Sequence, residues 1–408
     1  MKSYRVAFHP LTFPSLRARM TTFVPPAFWL AVASAATAGC VTGVSLGAID
    51  ASDGREAGGT DAGPTRVDAT ESVCDGSRVD EQTDPKNCGG CGIVCDGTCA
   101  LGRCIVTLAS GEPSPTGIAV DATNVYWADQ PFQGGAILQL PIGGGTPTTV
   151  VSISSVAPEP TLDAFAIQGS SVYWANSADG DNTVILQAPV GGGAATTLAS
   201  EPTFIPVGLA ANATNIVWAT EGTEGTAAGT VVTVPLAGGA ATTLATNQSA
   251  IAVAVDATNV YWKSDQSVIK APLVGGAIVT LCTLSASTAG AAFNIAVDAT
   301  TVYWTGRDGT TGTLMKVPVG GGTATTLATG PSPFNALAID ATTVYFASAD
   351  ILSVPIAGGA PTTLVAGYPA GGLAVDATSV YWTYQIGVDA GTLPLESDPG
   401  SVMKVTPK

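Results

Sequence analysis

GIAVDATNVYWAD, Gly117 to Asp129, returns in recognisable form six more times before residue 408. Aligned on the aromatic pair, the copies are Tyr126-Trp127, Tyr173-Trp174, Val217-Trp218, Tyr261-Trp262, Tyr303-Trp304, Tyr345-Phe346 and Tyr381-Trp382, spaced 47, 44, 44, 42, 42 and 36 residues apart. A period in this range marks a chain built from one repeated unit.

Each unit reads as four short strands. IAVD (118–121) meets a tight turn and then VYWA (125–128), where β-branched and aromatic residues favour a half-buried pleated surface. A variable loop leads to ILQLP (137–141), a Gly143-Gly144-Gly145 turn and TTVVS (148–152). Proline ends the third strand, and the glycines suit the turn. Four antiparallel strands per unit make one propeller blade, so the expected fold is all-β, a seven-bladed β-propeller over residues 105–408. The seventh copy stops after VMKVTPK (402–408), its third strand, while IVTLAS (105–110) stands ahead of the first copy without a partner. That N-terminal segment is expected to complete the seventh blade and remove the open sheet edges.

Residues 1–39 carry Lys2, Arg5, Arg17 and Arg19, no acid, and the apolar stretch FVPPAFWLAVASAATAG (23–39), the pattern of a signal peptide, with Met20 as an alternative start. Its end, Thr37-Ala38-Gly39-Cys40, resembles a bacterial lipobox, which implies lipidation of Cys40; the alternative is ordinary cleavage near Ala36 or Ala38. Residues 41–73 are dominated by Asp, Ala, Gly, Ser and Thr and read as a flexible tether. Residues 74–104 hold Cys74, Cys88, Cys91, Cys95, Cys99 and Cys104, and in an exported chain six cysteines this dense mean three disulfides among fifteen possible connectivities. Zinc or iron–sulfur binding at Cys88-Gly-Gly-Cys91 is disfavoured, because no histidine accompanies it and the compartment is oxidising. The run NCGGCG (87–92) resembles small cysteine-rich modules of secreted bacterial lipoproteins and implies no activity.

The sole histidine is His9, in the leader, so residues 40–408 lack the usual general base, nucleophile activator and transition-metal ligand. This disfavours histidine-dependent hydrolases and lyases and leaves carboxylate or calcium chemistry open. Without the leader's four cations the net charge moves from -16 to about -20, which disfavours nucleic acid and anionic lipid as partners. Any membrane association would then pass through an N-terminal lipid, and a monomer is expected.

Asp121, Asp256, Asp298, Asp340 and Asp376 occupy one position in the repeat, with Gln168 and Asn212 at the other two. An aspartate there is expected to accept hydrogen bonds from its own turn rather than to act in catalysis. The Tyr-Trp pairs are expected to pack between blades, the GGG turns to be hairpins rather than phosphate loops, and Cys282 to be a buried, unreactive thiol.

The copies diverge in two loop types, after each Tyr-Trp pair and between blades, and both emerge on the same face of an up-down meander. That face is the expected binding surface. Its candidates are Asp129 and Phe132, then Asp179 and Asp181, Glu221, Asp265, Arg307 and Asp308, Tyr384 and Asp389. The same loops also carry Asn176, Glu224, Asp350, Glu396, Asp398, Glu159, Phe204, Phe293, Asn294, Phe334, Asn335 and Tyr368. Acids among exposed aromatics suit a cation, a sugar or a basic peptide.

The run IAVDATNVYWAD followed by I-x-x-x-P-x-GG and TTLA resembles the YWTD and NHL propeller repeats across residues 105–408. The resemblance implies a protein-interaction scaffold. The third and fourth motif positions depart from YWTD, reading Ala-Asp, Ala-Asn, Lys-Ser, Thr-Gly or Thr-Tyr, so a receptor-like role is not implied. The leading expectation is a non-enzymatic extracytoplasmic scaffold, at the cell envelope or secreted, for a protein, peptide or glycan, with no cofactor. The alternative is a calcium-dependent propeller lactonase or lyase using acids of the central funnel.

Overall fold

The computed structural model describes residues 71–130, 135–153, 164–178, 182–202, 206–220, 229–248, 250–264, 266–284, 294–331, 333–385 and 399–408. The expected leader, Cys40 and all but the last residues of the expected tether lie outside them. Among the described residues there is no helix.

Strands β1 (Glu71–Cys74) and β2 (Ser77–Asp80) form a hairpin, and β3 (Thr98–Ala100) and β4 (Arg103–Glu112) follow. Three disulfides, Cys74–Cys91, Cys88–Cys99 and Cys95–Cys104, connect this region and settle the connectivity.

Seven antiparallel sheets then follow in chain order. Blades 1 to 6 span 115–153, 165–202, 206–246, 250–283, 295–331 and 336–365, each a four-stranded meander. Blade 7 takes three strands from the C-terminal end, Ala370–Val375, Val380–Tyr384 and Gly400–Thr406, and its fourth from β4. Ser401 pairs with Ser110 and Val405 with Ile105, so the N-terminal segment closes the last blade as expected. The strand is longer than the expected 105–110, and β3 adds to it as a fifth strand, with Cys99 opposite Cys104. The inner strands touch their neighbours all the way round, including blade 7 against blade 1, so the ring is complete.

The repeat explains the packing. In every inner strand the residue opposite the tyrosine position is alanine: Ala119, Ala166, Ala210, Ala254, Ala296, Ala338 and Ala374. The residue opposite the tryptophan position is larger, as in Ile118, Phe165 and Leu209. Blades converge on the axis, and alternating small and large side chains fit that taper. The tyrosine face of each blade packs on the tryptophan face of the next: Tyr126 lies in one core with Trp174, Tyr261 with Trp304, Tyr345 with Trp382, and Tyr381 with Trp127. Seven cores between blades therefore replace one central core.

Each third-to-fourth strand pairing carries a register shift at the same place, from Ile137/Leu138 in blade 1 to Val402/Met403 in blade 7. A bulge there twists the outermost strand and discourages edge-to-edge pairing with another sheet.

Candidate functional site

The repeated aspartates are turn residues. Asp121 Oδ1 accepts from the backbone amides of Thr123 (2.7 Å) and Asn124 (2.8 Å) and from Thr123 Oγ1 (2.9 Å), and Oδ2 accepts from the Tyr126 hydroxyl (2.7 Å). The arrangement recurs at Asp256 with Tyr261, Asp298 with Tyr303, Asp340 with Tyr345 and Asp376 with Tyr381, the hydroxyls donating over 2.7–2.9 Å. Burial alone would raise the Asp121 carboxyl, but the bonds from Thr123, Tyr126 and Asn124 outweigh it and hold it below the ordinary carboxylate range. The same balance lowers the other four, with Lys408 contributing at Asp340. Burial and the aspartate acceptor push Tyr126, Tyr303 and Tyr345 up to about 12.

The tyrosine's part in this unit was missed in the sequence, although a signal exists. Where the aspartate becomes Asn212, the tyrosine becomes Val217 in the same copy. Asn212 still accepts from Thr214 and Asn215 amides (2.9 and 2.8 Å), while its Nδ2 donates to the Asp256 carbonyl of the next blade (2.7 Å).

Third-strand lysines were also missed. Lys270 Nζ donates to the Val319 carbonyl (2.6 Å), Lys316 to Ile356 (2.7 Å) and Lys404 to Ile142 (2.8 Å), each reaching the residue after the third-strand proline of the following blade. Lys408 forms an ion pair with Asp340 (2.6 Å) and donates to the Asp376 carbonyl (2.5 Å), tying blade 7 back to blade 6. Lys263, in the second strand of blade 4, is fully buried, and its Nζ donates to the Ser264 carbonyl (3.3 Å).

On the variable face the described candidates divide. Asp129 is only 7% exposed; its Oδ1 accepts from the Ser114 amide (2.7 Å), and burial raises its carboxyl. Glu112, unflagged in the sequence, is 8% exposed and accepts from Trp127 Nε1 (3.1 Å). Burial raises its carboxyl, the Trp127 bond opposes this and the Asp129 charge adds to it. Gln248 takes the same part for Trp262 (3.2 Å). Asp350 accepts from the Gly367 amide (2.8 Å), and Asn294 Nδ2 donates to the Asn335 carbonyl of the next blade (2.6 Å).

Phe334, expected among exposed aromatics, is instead buried at 1% exposure against Phe346 (centroids 4.9 Å). Its ring fills the space where a side chain at Gly312 would stand, since a Cβ there would come within 2.8 Å of it. The ring thereby escapes water between blades 5 and 6. Tyr384 and Tyr368 meet edge-on (5.3 Å), and Tyr368 also packs on Trp382 (5.9 Å). Arg307 and Asp308, at the tip of the blade 5 hairpin, are exposed. Phe132, Asp179, Asp181, Glu221, Asp265 and Asp389 lie outside the described residues, as do Glu159, Phe204, Glu224, Phe293, Glu396 and Asp398.

Among the described residues, the one grouping of potential metal ligands is Cys74, Glu81 and Cys91, and two of its three are joined to each other in a disulfide. Cys282 is buried and unpaired, as expected, and burial raises its thiol. Three disulfides within residues 74–104 mark an extracytoplasmic protein.

No protein-family model matches the chain, and no curated protein matches its sequence. Solved structures match it in fold. An oligogalacturonate lyase in complex with manganese is 10% identical at a TM-score of 0.54, covering 74% of this chain and 91% of that one. A chain of a nidogen/laminin complex is 17% identical (TM-score 0.44; 58% and 90% covered), and BamB from Moraxella catarrhalis is 12% identical (TM-score 0.43; 71% and 85% covered). At such identities the likeness is one of architecture.

Proposed function

We propose that this chain is a non-enzymatic extracytoplasmic binding scaffold whose variable face engages a protein, peptide or glycan. One observation carries the reading: the variable face exposes Arg307 and Asp308, while the repeated aspartates of the turn face are all engaged. On the turn face the aspartate oxygens are occupied by their own turns and tyrosines, leaving little with which to recognise a partner. On the variable face the blade 5 hairpin presents Arg307 and Asp308 to solvent, in the loop class that varies most between copies. The lack of any histidine beyond His9 supports a binding role over histidine-based catalysis.

In this reading residues 1–39 direct export, Cys40 carries a lipid, residues 41–73 are the tether, residues 74–104 form the cysteine-rich module, and the propeller is displayed at the envelope. The test is a pull-down from the cell envelope with the chain from Cys40 onward. Capture should be lost with Arg307→Ala/Asp308→Ala and kept with Asp298→Asn on the opposite face. The reverse pattern would overturn it, as would turnover of any substrate that vanishes when variable-face acids are neutralised. Calorimetric titration discriminates the calcium-dependent lactonase or lyase: tight one-site calcium binding would promote that activity over the scaffold.

A further inference from the structure

The latch strand β4 differs from every other fourth strand. The other six follow their own third strand through a Gly-Gly hairpin in which a glycine amide donates to the proline carbonyl, as Gly144 to Pro141 (2.8 Å) and Gly275 to Pro272 (3.0 Å). β4 has no such hairpin to blade 7. Its neighbours in the chain are blade 1 on one side and the cysteine-rich module on the other, so its docking has to bring distant parts of the chain together.

The module braces β4 from the side away from blade 7, which β4 itself meets through strand pairing. Cys104 sits within β4, opposite Thr406 of blade 7 on one side and Cys99 of β3 on the other. Two disulfides, Cys95–Cys104 and Cys88–Cys99, hold both strands to the loop that carries Cys88 and Cys95. The fit is close: a Cβ at Gly97 would stand 2.0 Å from the Ile105 carbonyl, and Ala100 packs against the core shared by blades 6 and 7. The disulfide-bonded loop and the closing sheet are therefore one mechanical unit.

We propose that the cysteine-rich module is a redox-conditional clasp: the ring closes stably only when Cys95–Cys104 is oxidised, and reducing that bond frees β4 from blade 7. Opening needs a dithiol reductant. One thiolate attacks Cys95 or Cys104, the second resolves the mixed disulfide, and two electrons and two protons end on the protein as two thiols. The module orders the chemistry: each bond has one buried cysteine, Cys74 or Cys95, but the partner Cys91 is exposed whereas Cys104 is only partly exposed. Mild reductant should therefore open Cys74–Cys91 first and leave the latch in place. The consequence is a propeller that stays open in a reducing compartment and closes after export.

Amide hydrogen exchange on the chain from Cys40 onward tests this, comparing Gly400–Thr406 of blade 7 with Thr311–Pro318 of blade 5. In the Cys95→Ser/Cys104→Ser variant, protection of Gly400–Thr406 should fall at least about tenfold while blade 5 is unchanged. The Cys74→Ser/Cys91→Ser variant should keep both. Equal loss in the two variants, or none in the first, overturns the proposal. Should the first variant fail to fold, the folded wild type is titrated with dithiothreitol until Cys104 becomes alkylated. Loss of Gly400–Thr406 protection in step with that alkylation supports the clasp, and alkylated Cys104 with protection intact overturns it.

Discussion

Blade 4 meets blade 5, and blade 7 meets blade 1, through the same kind of core. Tyr261 and Val268 face Trp304 and Val317 at the first junction, and Tyr381 and Val402 face Trp127 and Leu140 at the second. Each has its lysine arm, Lys270 to Val319 and Lys404 to Ile142. The second junction adds Thr383 Oγ1 to the Thr116 carbonyl (2.6 Å) and Gln385 Nε2 to Ser114 Oγ (3.0 Å). The larger difference lies inside the blades: blade 4 is continuous in sequence, while blade 7 is assembled from both ends of the described chain. The repeat thus makes every junction between blades alike, and closure is decided within one blade, where strands distant in sequence must find each other.

Removing that pairing is the strongest way to break the comparison. Deleting residues 105–110 should lower the thermal midpoint by more than about 10 °C, because blade 7 loses its fourth strand and the ring its closure. An unchanged melting curve would contradict the latch.

A smaller effect tests whether local turns know which blade they are in. Asp298→Ala and Asp376→Ala each remove the acceptor for two backbone amides, a threonine hydroxyl and a tyrosine. Both should cost about 2–3 kcal/mol in urea unfolding, and equally. A markedly larger loss at Asp376 would show that the closing blade draws on its turn as the others do not.

Lysine arms come next. Lys316→Met and Lys404→Met each delete one charged hydrogen bond to a carbonyl and should cost about 1 kcal/mol. Only the second should also speed amide exchange in Gly400–Thr406, and equal exchange in both variants would erase the distinction between junctions.

The smallest effect is in pH. The turn aspartates, lowered in the folded state, stabilise above the unfolded carboxyl value of about 3.9, and that contribution is lost as pH falls through their folded values. Glu112 is raised, so the sign reverses: its contribution is present below the unfolded value of about 4.3 and lost as pH rises through the folded one. Glu112→Gln keeps an acceptor for Trp127 and should therefore melt slightly higher than wild type at pH 7, the gap closing below about pH 4. A lower midpoint at pH 7 would mean that the charge itself strengthens the Trp127 bond.

The blades were legible because each is a local object. Asp121, Pro141 and the glycine turn all act within one period, so pattern and turn chemistry reveal them. The binding face was legible only as a class of loops. Burial of Phe334 depends on what the neighbouring blade presents, and that of Asp129 on the Ser114 amide fifteen residues away, and neither side chain announces it in the sequence. Glu112 was overlooked for the same reason, since its partner Trp127 belongs to the next blade.

From the residues alone came the blade count, the four-strand unit, the turn role of the aspartates and the candidate latch, because periodicity and turn preference are short-range. Only the tertiary structure chose one disulfide pattern from fifteen, joined β3 to the closing sheet and sent the third-strand lysines Lys270, Lys316 and Lys404 to a carbonyl on the next blade. The disulfides span only 9 to 17 residues, but six cysteines this close admit many pairings and three-dimensional geometry selects among them, whereas β4 and the lysines meet partners far away in the chain that only the closed ring brings near.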